Sequence, residues 1–120
     1  MNNEAIKKIA ESNGFDEASR QLFEEVGELM VAVNKYHRAL ELYDIEYESA
    51  FLDIRKYDIA EEIADVTIMI EQIKCLLSLN IDDIDLFIEQ KLNRQLERIN
   101  KENKKRGRKN EQSNFNRENN

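Results

Sequence analysis

Proline is absent from the chain, and glycine occurs only at Gly14, Gly27 and Gly107. Strands joined by tight turns depend on these two residue types, so their scarcity argues against an all-β fold and for long helices. Cysteine occurs once, as Cys75, which rules out an intramolecular disulfide. Its neighbours Ile73, Leu76 and Leu77 mark it as a small buried hydrophobe rather than a catalytic thiol. The lone histidine, His37, is too little for a zinc site. No apolar run approaches the roughly 20 residues needed to cross a bilayer. The stretch from Met1 to Lys8 lacks the apolar segment of a signal peptide. No membrane partner is expected, and a cytoplasmic location is the default.

Charge is plentiful. Of the 120 residues, 36% are charged and 41% hydrophobic, a balance that suits one helix-rich domain. A domain this small buries a modest core, so self-association is expected. Residues 1–100 hold 11 Lys/Arg and 22 Asp/Glu, a balance of −11, and residues 101–120 hold 7 and 3, a balance of +4, which together make −7. An acidic body repels nucleic-acid backbones and attracts cations, so nucleic acid is not an expected partner and a divalent metal is.

The pattern predicts an all-α, four-helix bundle-type core within residues 1–100. A short helix spans 3–13 with Ile6, Ile9 and Ala10 on one face, and Gly14 stops it. A second runs from about 17 to 42, with Asp16 as N-cap and Leu22, Val26, Leu29, Val33 and Leu40 as its stripe. Residues 43–56, with Tyr43, Ile45, Tyr47, Phe51 and Ile54 among acids, read as a connector, with part of it helical. A third helix runs from about 57 to 79 on Ile59, Ile63, Val66, Ile70, Ile73 and Leu77, and Asn80 ends it. Asp82 can cap a fourth, with Ile84, Phe87, Ile88, Leu92, Leu96 and Ile99 facing inward. Residues 101–120, basic and Asn-rich, have too little apolar surface to order themselves and read as a disordered tail. That tail is either solubilising or a nucleic-acid contact through Lys104, Lys105, Arg106, Arg108 and Lys109.

Two segments repeat one pattern. Residues 23–33 read FEEVGELMVAV and residues 60–70 read AEEIADVTIMI. At about 100° per residue, Glu25 and Glu28 lie about 60° and 120° from the stripe that starts at Leu22, and Glu62 and Asp65 stand at the same angles from the stripe that starts at Ile59. If the two stripes pack against each other as antiparallel helices, the two flanks meet and four carboxylates converge at the edge of the core. Unpaired, they would repel one another strongly, and Lys and Arg are absent from residues 21–34 and 57–73. Mg²⁺, a hard ion with oxygen ligands, fits Glu25, Glu28, Glu62 and Asp65, and Mn²⁺ is its chemical substitute. The competing reading is a pair of solvated acidic faces, and it applies most directly to Glu24 and Glu61, about 160° from their stripes.

The strings Glu24-Glu25-Val26-Gly27-Glu28-Leu29 and Glu61-Glu62-Ile63-Ala64-Asp65-Val66 resemble the paired motifs of the MazG-like, all-α nucleoside triphosphate pyrophosphohydrolases. The resemblance covers about residues 15–100. It implies a helical core assembled into homodimers or homotetramers, and Mg²⁺-dependent hydrolysis of a (deoxy)nucleoside triphosphate to the monophosphate and pyrophosphate. It makes Glu25, Glu28, Glu62 and Asp65 metal ligands and places Glu24 in the catalytic motif, as a ligand of a second ion or an orienter of water. Lys91 and Arg94, in a Lys-Leu-x-Arg run also found in family members, become candidate triphosphate contacts, and Arg98 follows them. Pairing with Glu89 or Glu97 on a solvated face is the alternative for these cations, and Lys35 and Arg38 carry the same ambiguity. Tyr36, His37, Phe15 and Met69 are candidates for a base pocket. The 33 residues between Glu28 and Glu62 exceed those of compact members and read as a segment able to cover substrate. The alternative to an enzyme is a non-catalytic helical-bundle interaction or regulatory protein.

Overall fold

The computed structural model describes residues 1–42 and 45–118, the side chains of 45–49 excepted. Among the described residues the chain is all-helical, without a strand: α1 spans Asn3–Leu42, α2 spans Ile45–Leu76 and α3 spans Ile81–Glu118. It divides into two units, Met1–Leu79 and Asn80–Asn120.

Local chemistry accounts for the boundaries. Asn2 caps α1: its Oδ1 accepts from the Ala5 amide at 3.1 Å. Gly14 breaks α1 with φ 77° and ψ 172°, a backbone that side-chain-bearing residues rarely adopt. The stop expected at Gly14 is therefore present, with helix on both sides. α2 ends in a Schellman arrangement. The Leu79 amide donates to the Lys74 carbonyl at 3.0 Å and the Ser78 amide to the Cys75 carbonyl at 3.2 Å, while Ser78 takes a positive φ of 49°.

Asn80 opens the next helix rather than closing the last. Its Oδ1 accepts from the Asp82 amide at 2.9 Å, so Asn80 is the N-cap of α3, the role expected of Asp82. Asp82 and Asp83 instead sit in the first turn, where negative charge favours the helix dipole.

Two further boundaries differ from expectation. The helical part of residues 43–56 is nearly all of the segment: α2 already begins at Ile45, after Tyr43 and Asp44. Tyr43 and the side chains of Ile45 and Tyr47 lie outside the described residues. The surplus between the motifs is thus the end of α1 and the start of α2, lengthening a helical hairpin. In the second unit, α3 continues as helix past residue 101 to Glu118. Lys, Arg, Gln and Glu are good helix formers even where nothing apolar is available to pack.

The first unit is an antiparallel hairpin. Gly27 and Glu28 share a cleft with Glu61 and Glu62, whereas Arg38 and Leu42 share one with Phe51 and Arg55. Among the described residues its buried positions are Ile6, Ala10, Ala18, Ala32, Ala39, Met69 and Gln72, most of them small or flexible. Ala32, Ala39 and Met69 sit about a quarter-turn from the apolar stripes at 100° per residue. The two helices therefore do not meet stripe to stripe. They meet through the alanine side of α1, where small side chains permit close approach. Because the hairpin is antiparallel and both stripes are offset in the same rotational sense, both lie on one side of it. Val26, Val33, Ile63 and Ile70 on that side are exposed, and so are Phe23 at 72% and Met30 at 62% elsewhere on α1.

Candidate metal centre

The contact face explains how the carboxylates meet. Glu25 and Glu28 stand on the α2-facing side of α1, and Glu62 stands on the α1-facing side of α2. One carboxylate oxygen from each of Glu25, Glu28 and Glu62 lies within 4.8 Å of the other two. Glu25 and Glu62 are half-buried and Glu28 is exposed. The inward Oε2 atoms of Glu25 and Glu62 have no hydrogen-bond partner among the described residues. A buried carboxylate oxygen left unpaired is unfavourable, and a cation is the partner that such an acceptor-only group can take.

Electrostatics mark the same two residues. Burial raises the Glu25 carboxyl above its ordinary 4.5, and the charges of Glu28, Asp65 and Glu62 add to it. Burial likewise raises Glu62 above 4.5, followed by the charges of Glu28, Asp65 and Glu61. These are the responses of like-charged groups brought together away from water.

Asp65 stands apart from the close trio. It is exposed, yet near enough to raise both Glu25 and Glu62. Glu24 and Glu61 are exposed as well, but they line the cleft beside the trio. This cleft holds about 610 Å³ and is walled by Gly27, Glu28, Val31 and Ala32 from α1 and by Asp58 and Glu62 from α2. Gly27 keeps its side of the wall low: a Cβ built there meets nothing within 4 Å.

Lys35 also lines the cleft, one of the cations whose role the sequence leaves open. Asp58, not singled out by sequence, lines it too and pairs with Arg55 at 3.5 Å. The signal for both was spacing. Glu24, Glu28, Val31 and Lys35 recur at intervals of four, three and four residues, one face of α1. Asp58, Glu61 and Asp65 recur at intervals of three and four on α2. Arg38 lines a separate cleft with Phe51 and Arg55, near which the Arg55 guanidinium stands 4.8 Å from the Phe51 ring.

The base-pocket candidates are dispersed. Met69 is buried, Tyr36 is half-buried and Phe15 is exposed, while His37 faces Glu41 at 3.5 Å on the surface. None of the four lines the cleft. Lys91 and Arg94 belong to the second unit, where they line a shallow groove with Gln95 and Arg98. No helix among the described residues is long and apolar enough to cross a membrane. Comparison with known proteins finds no family model, no curated protein and no solved structure that matches the chain.

Proposed function

We propose that the chain is a Mg²⁺-dependent nucleoside triphosphate pyrophosphohydrolase whose metal is held by Glu25, Glu28 and Glu62, with Asp65 as the outer member of the set. One observation carries this reading: three carboxylates converge beside an open cleft, two of them with inward oxygens that no described residue pairs. All-oxygen donors of this kind suit a hard divalent ion, Mg²⁺ or Mn²⁺. The reaction class rests on the resemblance of the two acidic motifs to the MazG-like enzymes.

A bound divalent ion supplies positive charge to the triphosphate and acidity to water. The protein does the rest by position. Lys35 on the cleft wall holds a phosphate oxygen. Glu24 and Glu61, exposed beside the trio, orient a water and accept its proton. Lys91 and Arg94 are further phosphate contacts on the resemblance alone. The apolar side of the hairpin calls for covering helices, and a second copy or more, as homodimer or homotetramer, completes a four-helix core.

The test is a screen of canonical and modified (d)NTPs with Mg²⁺, reading pyrophosphate. Activity toward at least one is expected, with Glu62→Gln and Asp65→Asn lowering it at least about 100-fold at unchanged helical content. If Mg²⁺ neither raises thermal stability nor supports pyrophosphate release, the reading fails in favour of a non-catalytic interaction or regulatory protein.

A further inference from the structure

The continuity of α3 changes what its basic residues can do. Lys91, Arg94, Arg98, Lys101, Lys105 and Arg108 follow one another at intervals of three, four, three, four and three residues. On one helix, at about 100° and 1.5 Å per residue, they form a single line about 26 Å long within an arc of about 100°. Lys109 falls at its edge. Every carboxylate of residues 84–118 lies outside that arc, Glu97 and Glu102 flanking it. All six cations are exposed, and none forms an ion pair within α3. Residues 91–109 hold nine Lys/Arg and two Glu, a local +7 in a chain whose total is −7.

We propose that this line of α3 docks on the phosphate backbone of duplex DNA, without regard to base sequence. Duplex DNA presents a negative charge about every 1.7 Å of its axis, the continuous row of anions that a row of cations matches. Its major groove, about 12 Å wide, admits a helix. The other occupants fit less well. From Asn100 to Asn114 no side chain is apolar, so half of the line has nothing to insert into a lipid surface. The acidic faces of a second copy are shorter and mixed in sign: Lys35 follows Glu24 and Glu28 on one face of α1, and Arg55 pairs with Asp58 on α2. The acidic first unit weakens the complex, and the phosphate contacts set its salt sensitivity. The line shares Lys91 and Arg94 with the hydrolase reading, so the test below substitutes only residues from 101 onward, which that reading does not use.

The experiment measures anisotropy of a labelled DNA duplex with the full chain across a NaCl series. Binding is expected at about 50 mM salt, with log K falling against log salt at a slope of about −5 for six phosphates. The triple variant Lys101→Gln, Lys105→Gln, Arg108→Gln should lose about tenfold or more in affinity and make the slope shallower by about 3. Lys104→Gln, Arg106→Gln, Arg117→Gln removes the same charge off the line and should lose far less. Gly107→Ala, where the added Cβ meets nothing within 4 Å, stiffens the helix and should tighten binding, whereas a flexible tail carrying the same charge would gain nothing. Gln and Ala are both good helix formers, and circular dichroism checks that helicity is kept. No duplex binding at low salt, equal losses from the two triple variants, or weaker binding by Gly107→Ala would each overturn the proposal. So would binding to phosphatidylglycerol vesicles in place of DNA, or a self-association that the first triple variant abolishes while DNA is ignored.

Discussion

A carboxyl group that loses water and faces others of its own sign holds its proton more tightly, and Glu25 and Glu62 are both in that position. The consequence for stability has a definite sign. With folded-state values above 4.5, the folded chain binds more protons than the unfolded chain between that value and the raised ones. Without a divalent ion, the two groups therefore leave stability intact below this window and reduce it as pH rises through it. The Tm difference between Glu62→Gln and the parent chain, both in chelator, should accordingly grow in favour of the variant across the window. Mg²⁺ should raise the parent's Tm at neutral pH, lose affinity on acidification because protons compete for the same oxygens, and leave the variant little changed. A variant less stable than the parent in chelator at neutral pH would remove the argument for a strained acidic trio.

At the scale of elements, three helices are set by a few residues at their ends. Two glycines predict opposite outcomes. Gly14 holds a backbone that alanine adopts only under strain, so Gly14→Ala should cost about 1–3 kcal/mol in denaturant unfolding. Gly27 is inside a regular stretch of α1 with room for a Cβ, so Gly27→Ala should stabilise by about 0.5–1 kcal/mol. Equal effects would mean that the break in α1 is not fixed by Gly14. Helical content and the Gly14 break were legible because both follow from local chemistry. The start of α2 was not, because Phe51 and Ile54 among acids satisfy no single periodicity. Asn80, between two helices, can by sequence serve either, and only its hydrogen bond with the Asp82 amide makes it the cap of α3.

At the scale of the molecule, the apolar side of the α1–α2 hairpin matters most. Val26, Val33, Ile63 and Ile70 are exposed together on it, and a patch of that kind marks an interaction surface. The chain should sediment as a dimer or tetramer. Ile63→Glu or Ile70→Glu should shift it toward monomer and lower its Tm, since a charge on a covered apolar face is left unpaired. Monomeric behaviour of the parent chain across micromolar concentrations would assign the face to a different partner.

By itself, the sequence determined that this chain is helical and that two acidic motifs recur in the same phase on α1 and α2. Both follow from short-range periodicity, which is a property of residues close together in the chain. Which face of each helix meets the other was a tertiary decision. The large apolar stripes looked like the natural seam, yet the alanine side of α1 forms it, because close approach favours small side chains. That choice brings Glu25, Glu28 and Glu62 within 4.8 Å, leaves Asp65 outside the trio, and adds Lys35 and Asp58 to the cleft. It also leaves the stripes free for another surface. The same logic applies to α3, whose spaced cations become a line only because the backbone beneath them is one helix.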